Sequence, residues 1–295
     1  MHVWTETNSR GPYLTYADLS RDSIDFARSI THKGYTGIVG VPRSGMIAAS
    51  QVAVFLGVPL YSYDERLGIS PISAGMRLKN LTTTRQPEKL LVLEDSCATG
   101  HSMTKAKKRL ANDSRNLEYG AIYATPGTLS LLNVWHRQLP FPHWFEWNWP
   151  GSWHFNNTMS LGTDWDGILN RDFTREEDDD GPLYTKTMME MQPLLVTKPI
   201  DIKFIVTARL EKYRPYCEYW LKRHGMKVQN LIMGPWATQQ ERKGNCMGTW
   251  KASMLAQHDV RLYVESCPAQ AYAISLKLDI PVICPALGKS IYKGS

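Results

Sequence analysis

Residues 90–102 read LLVLEDSCATGHS, and no other stretch constrains the fold as tightly. Leu90 to Leu93 form a short apolar run of the length a buried strand uses. The strand is expected to end there, at Glu94 and Asp95. A loop of small and hydroxyl residues follows, and then a helix is expected to begin. Backbone N–H groups at a helix N-terminus bind anions. Thr99, Gly100 and Ser102 are small or donate from a hydroxyl, so a phosphate can approach closely. The two carboxylates, one loop away, can accept hydrogen bonds from sugar hydroxyls. A sugar with a terminal phosphate satisfies both ends.

The surroundings fit this reading. Helices are expected over 16–33 and 44–56, and strands over 36–41, 58–63 and 117–124. Such βαβ alternation implies a parallel sheet with helices on both faces. Residues 65–87 form a polar stretch long enough to be a functional loop. The alternation restarts in the second half, with strands at 202–206, 231–233, 262–264 and 281–284. A helix at 210–224 closes on His224-Gly225. The expected class is α/β with two doubly wound parallel-sheet domains, residues 1–157 and 158–295. A length of 295 residues agrees with two domains of about 150 residues each.

Composition narrows the function classes. The chain is 43% hydrophobic with 31 aromatic residues, which excludes chain-wide disorder. No uncharged run is long enough for a membrane span. The first ten residues have no apolar core, so no secretory signal is expected. Five cysteines without metal spacing read as reduced thiols of a cytoplasmic protein. The net charge of +6 is spread out and suits phosphate-bearing metabolites. The basic run KAKKR (105–109) is expected to be a solvated helix face, so nucleic acid is not an expected partner. Asp178–Asp180 are likewise expected in solvent.

The strand, acid pair and hydroxyl loop resemble the signature of the type I phosphoribosyltransferases. The loop departs at Cys97, where an aliphatic residue is usual, and at Ala98, where a hydroxyl is commoner. A second element, Gly40-Val41-Pro42-Arg43-Ser44-Gly45, stands where that family has its pyrophosphate loop. The resemblance implies transfer from phosphoribosyl pyrophosphate (PRPP) to a nucleobase-like acceptor. Mg²⁺ would be held largely by the substrate's own oxygens. Glu94 and Asp95 would be the catalytic pair at the ribose. PRPP and its phosphates would be bound by Arg43, Ser44, Gly45, Ala98, Thr99, Gly100, His101 and Ser102. Arg77, Lys79 and Arg85 would reach the pyrophosphate from the long loop, and the aromatic run Phe141–Trp149 would stack the base. A homodimer is expected by analogy. The alternative is a regulator that senses PRPP or a nucleotide with a non-catalytic fold of this kind.

In the second half, DWDGIL (164–169) sets two carboxylates two residues apart at an expected strand end. One can attack phosphorus and the other can move a proton. This resembles the first motif of the haloacid dehalogenase superfamily. FIVTAR (204–209), Lys251 and YVESCPAQA (263–271) follow in that family's order. The resemblance implies a phosphatase with a minimal cap acting on a phosphomonoester, which the nucleotide made by the first half would supply. Asp164 would be the nucleophile and Asp166 the acid/base, with Thr207 and Lys251, or Lys243 in its place, on the phosphoryl group. Asp164, Asp166 and Glu265 would hold Mg²⁺. Ser266 stands where the family often has a second acid.

Overall fold

The computed structural model of the chain describes residues 11–72, 89–148, 160–194 and 200–294. It divides into two units, Met1–His143 and Trp144–Ser295. The boundary expected after residue 157 lies outside the described residues, as do Arg77, Lys79, Arg85 and Trp149.

In the first unit, helix α1 (Tyr16–Ile30) opens on a capping box. The Thr15 hydroxyl accepts from the Asp18 N–H at 3.1 Å, and the Asp18 carboxylate accepts from the Thr15 N–H at 2.9 Å. Strand β1 (Gly37–Gly40) is buried on both faces, as the middle of a parallel sheet must be. Helix α2 (Gly45–Leu56) follows, then β2 (Leu60–Asp64) and β3 (Gly68–Pro71). After these come β4 (Lys89–Cys97), α3 (His101–Arg109), β5 (Asn116–Ala124) and β6 (Val134–Gln138). The sheet order is β3-β2-β1-β4-β5-β6, parallel except for the β2–β3 hairpin.

Three expectations change here. The strand expected to stop at Leu93 continues to Cys97, because β5 pairs with it as far as Cys97↔Ala124. Glu94 and Asp95 therefore lie inside the strand. Part of the expected long loop is a hairpin, started where Asp64 Oδ1 accepts the N–H groups of Arg66 and Leu67 at 2.8 and 2.9 Å. The run KAKKR is only partly solvated. Lys107 donates to the Leu131 carbonyl at 2.8 Å and lies 4.9 Å above the Tyr119 ring. Arg109 donates to the carbonyls of Glu65 and Arg66.

The second unit is built on β7 (Leu161–Thr163), with β8 (Ile200–Leu210) and β9 (Met226–Gly234) to one side. On the other side lie β10 (Leu262–Val264), β11 (Val282–Cys284) and β12 (Lys289–Ile291). The order β9-β8-β7-β10-β11-β12 is parallel except at β12. Helices α4 (Pro182–Glu190), α5 (Arg214–Arg223), α6 (Gln239–Lys243), α7 (Met247–Leu255) and α8 (Pro268–Lys277) complete it. One apolar cluster centres on Trp165 and Trp220, whose rings are 5.5 Å apart, and a second on Phe204, Val206 and Tyr263.

The acidic run is not a free solvated loop. Asp178 pairs with Arg242 at 3.3 Å, and Asp180 meets Lys212 at 2.9 Å and the Tyr213 hydroxyl at 2.8 Å. Asp179 accepts the N–H groups of Gly181 and Tyr184 at the start of α4. Cationic partners and open helix amides compensate three adjacent charges that would otherwise repel. No described helix is long and apolar enough to cross a membrane.

Candidate active sites

In an open parallel sheet, ligands sit beyond the carboxyl ends of the strands where the chain switches sides. In the first unit that point lies between β1 and β4. Register pairs Gly40 with Leu93, and the Val41 N–H donates to the Leu93 carbonyl at 3.1 Å. The loop at 41–45 is thereby laid beside Glu94 and Asp95. Contact is so close that a Cβ on Gly45 would lie 3.0 Å from the Leu93 carbonyl oxygen and 3.2 Å from the Glu94 Cα. Arg43 is exposed beside it and Ser44 half-buried.

The loop after β4 is tethered from beneath. Thr125 Oγ1 donates to the Ala98 carbonyl at 2.8 Å, and Thr128 Oγ1 to the Cys97 carbonyl at 2.7 Å. Gly100 has φ +73°, a left-handed turn that glycine allows, and it begins α3 with no side chain capping the first amides. Thr99, His101 and Ser102 are exposed at this end. Glu94 and Asp95 are buried. Burial, then the Asp95 charge, pushes the Glu94 carboxyl up to about 8, against a bond from Ser102 that lowers it. The described part of the aromatic run does not present an open stacking face throughout. Trp144 and Phe145 are buried, and Phe145 stacks on Trp147 at 4.5 Å.

In the second unit the switch point lies between β7 and β10. The Asp164 N–H donates to the Val264 carbonyl at 2.8 Å, which holds Asp164 at the end of the sheet's middle strand. A cavity of about 470 Å³ opens there, and Asp164, Asp166, Thr207 and Lys251 all line it. Lys251 Nζ lies 2.9 Å from Asp164 Oδ1 and 2.7 Å from Glu265 Oε2. Burial opposes its charge, but Asp164 and Glu265 outweigh burial and push the ammonium up to about 12. Asp164 Oδ1 also accepts the Trp165 N–H at 2.7 Å, and Oδ2 accepts from the Ser266 hydroxyl at 3.4 Å.

Glu265 is fully buried and does not line the cavity. Its Oε1 accepts the Cys267 N–H at 3.0 Å and its Oε2 accepts from Lys251. Burial first, then Asp164, pushes its carboxyl up to about 8. Asp166 is bound by Arg209 at 2.6 and 3.1 Å. Two of the three carboxylates expected to share a cation are thus occupied by the protein's own donors. Among the described residues no group of three such side chains is set to hold a metal ion. As arranged here, the expected trio does not fit a divalent cation.

Sequence reasoning gave no role to Arg209, Arg242 or Asp172, which also line the cavity. Partial burial and the charges of Asp166 and Asp164 push the Asp172 carboxyl up. Arg209 stood in the quoted run FIVTAR, and an arginine two places past a strand-end threonine was the available signal.

No family model matches the chain. The first half is similar to the xanthine-guanine phosphoribosyltransferase of Idiomarina loihiensis, 24% identical over 155 residues, covering 50% of this chain and 92% of that protein. Among solved structures, the purine phosphoribosyltransferase of Pyrococcus horikoshii is 17% identical with a TM-score of 0.34, over 46% of this chain and 91% of that one. The xanthine-guanine-hypoxanthine phosphoribosyltransferase of Helicobacter pylori is 15% identical with a TM-score of 0.36, over the same shares. Over about half its length, the chain has the type I phosphoribosyltransferase fold.

Proposed function

We propose that the first half binds PRPP and transfers its phosphoribosyl group to a nucleobase-like acceptor, and that the second half is a haloacid-dehalogenase-type phosphohydrolase. The reading of the first half rests on the loop at 41–45, laid by register against Glu94 and Asp95 of β4, and on the uncapped amides of α3. Arg43 and the 43–45 amides would receive the pyrophosphate. The amides and hydroxyls of 99–102 would hold the 5′-phosphate. Glu94 and Asp95 would take the ribose hydroxyls. Magnesium enters with the substrate, on its diphosphate and ribose oxygens. Catalysis is then positioning and charge neutralisation around a departing pyrophosphate.

The reading of the second half rests on Asp164 at the end of β7, held by Lys251, with Thr207 of the adjacent strand in the same cavity. Asp164 would attack phosphorus. Lys251 and the Thr207 hydroxyl would stabilise the phosphoryl oxygens. Water would then cleave the aspartyl-phosphate, with Asp166 accepting its proton.

Equilibrium titration with PRPP, followed by turnover with a panel of nucleobases, tests the transferase. Micromolar binding lost in Asp95→Asn, with pyrophosphate release for at least one base, is expected. Binding with no release for any acceptor would make the first half a sensor, and no binding would end the reading.

A further inference from the structure

Ser96 directly follows the acid pair on β4 and is half-buried, whereas its neighbours Glu94, Asp95 and Cys97 are buried. Its hydroxyl lies 3.3 Å from His143 Nε2, across 47 residues of chain. The sheet brings the two together. Ser96 pairs with Tyr123 on β5, and the Leu139 N–H donates to the Ala124 carbonyl at 2.9 Å. That bond pins the turn after β6 to the carboxyl end of β5, and His143 follows in the same turn.

His143 Nδ1 lies 3.0 Å from the Pro140 carbonyl oxygen. A carbonyl can only accept, so Nδ1 carries the ring proton. Burial, against the Pro140 bond, holds the imidazole below its usual pKa, so the ring is neutral near pH 7. Nε2 is then an acceptor, and the Ser96 hydroxyl donates to it. A hydroxyl has one proton and two lone pairs. With its proton committed to His143, Ser96 Oγ meets a ligand as an acceptor. The same turn supplies an apolar wall. Phe141 is 42% exposed, and its ring stands edge-on to His143 with centroids 6.1 Å apart. An aromatic face beside a fixed acceptor, next to the carboxylates assigned to the ribose, suits a flat ring with an N–H on its edge.

Resting on the transferase reading above, we propose that Ser96 selects the acceptor. Its Oγ takes a hydrogen bond from an N–H on the edge of the incoming nucleobase, and His143 is the positioning residue that fixes the direction of that bond. The N–H is not the one lost as the new C–N bond forms. It belongs to a lactam or an exocyclic amine elsewhere on the base. A base that offers only a lone pair or a methyl group at that edge leaves the serine oxygen unsatisfied, which costs about 10–100-fold in affinity.

The test is pyrophosphate release by the full chain from PRPP and Mg²⁺ with paired bases: hypoxanthine and 1-methylhypoxanthine, uracil and 3-methyluracil, adenine and N6,N6-dimethyladenine. The first two pairs differ at a lactam N–H and the third at an exocyclic amine, so the pair that discriminates names the donor. For a base the wild type uses, the methylated partner should have kcat/KM lower by about 10–100-fold. Ser96→Ala should raise KM for the parent base by a similar factor, shrink the ratio within the pair to about threefold or less, and leave KM for PRPP in place. A serine that only supported the strand would weaken both members alike, and a methyl group excluded by bulk alone would keep the ratio. His143→Gln keeps an acceptor for the Ser96 hydroxyl and should hold the ratio, whereas His143→Leu releases that proton and should collapse it. If His143→Leu does not fold, Ser96→Ala decides alone. A wild-type ratio within about threefold for every base used, or a ratio unchanged in Ser96→Ala, would overturn the proposal and leave the transferase reading intact. No pyrophosphate from any base would overturn that reading too.

Discussion

Lys251→Met puts the second site under the most direct strain. The wild-type ammonium is 1% exposed and joins Asp164 at 2.9 Å to Glu265 at 2.7 Å. Methionine keeps the length and removes the charge, leaving two carboxyls facing each other in a buried site. Breaking a buried pair by removing one partner costs about 3–5 kcal/mol. In a unit of this size each kcal/mol moves the melting temperature by about 2–4 °C, so a drop of about 6–20 °C is expected. The deficit must also depend on pH. The Glu265 carboxyl is pushed from 4.5 up to about 8, first by burial and then by Asp164, with Lys251 pulling the other way. A carboxyl raised in the folded state stabilises below its unfolded value and loses that contribution as pH climbs through the folded one. Without Lys251 the folded value climbs further. The deficit is therefore smallest near pH 5, where Glu265 is protonated in both folded proteins, and widens towards pH 9. Calorimetry at pH 5, 7 and 9 reads it. Adding Glu265→Gln should restore part of the loss at pH 9, since the two sites are coupled. A deficit equal at all three pH values, or largest in acid, would refute the reasoning.

Two further outcomes follow from the first unit. Glu94, raised to about 8 by burial and Asp95, should make that unit lose stability as pH rises through 8, and Glu94→Gln should flatten the curve; parallel melting curves from pH 6 to 9 would contradict this. Gly45→Ala places a methyl 3.0 Å from the Leu93 carbonyl oxygen, which belongs to a central strand and cannot give way, so a loss of about 1–3 kcal/mol and more than about tenfold weaker PRPP binding are expected by thermal melt and titration.

The chemistry at the strand ends was legible because it depends on local order. LLVLED reads as strand then acids whatever surrounds it, and GVPRSG and DWDG read as turns on their own. What stayed hidden depends on neighbours far apart in the chain. Arg209 meets Asp166 across 43 residues because β8 pairs with β7, and no local pattern states that pairing. Glu265 read as a metal ligand by its place in the motif, but Lys251 on α7 and the Cys267 amide occupy it. The acidic run read as solvated because its partners Arg242 and Lys212 lie more than thirty residues away. The extra length of β4 depended on β5, which a strand read in isolation cannot reveal.

The measurement that bears most directly on the two-site account is parallel release of pyrophosphate and inorganic phosphate from PRPP, Mg²⁺ and a nucleobase panel. A phosphatase-free coupled assay should read pyrophosphate, and wild type should be compared with Asp95→Asn and Asp164→Asn. The account predicts that Asp95→Asn abolishes pyrophosphate formation and retains phosphate release from an added phosphomonoester. Asp164→Asn should do the reverse. Loss of both activities in either single variant would contradict two independent sites.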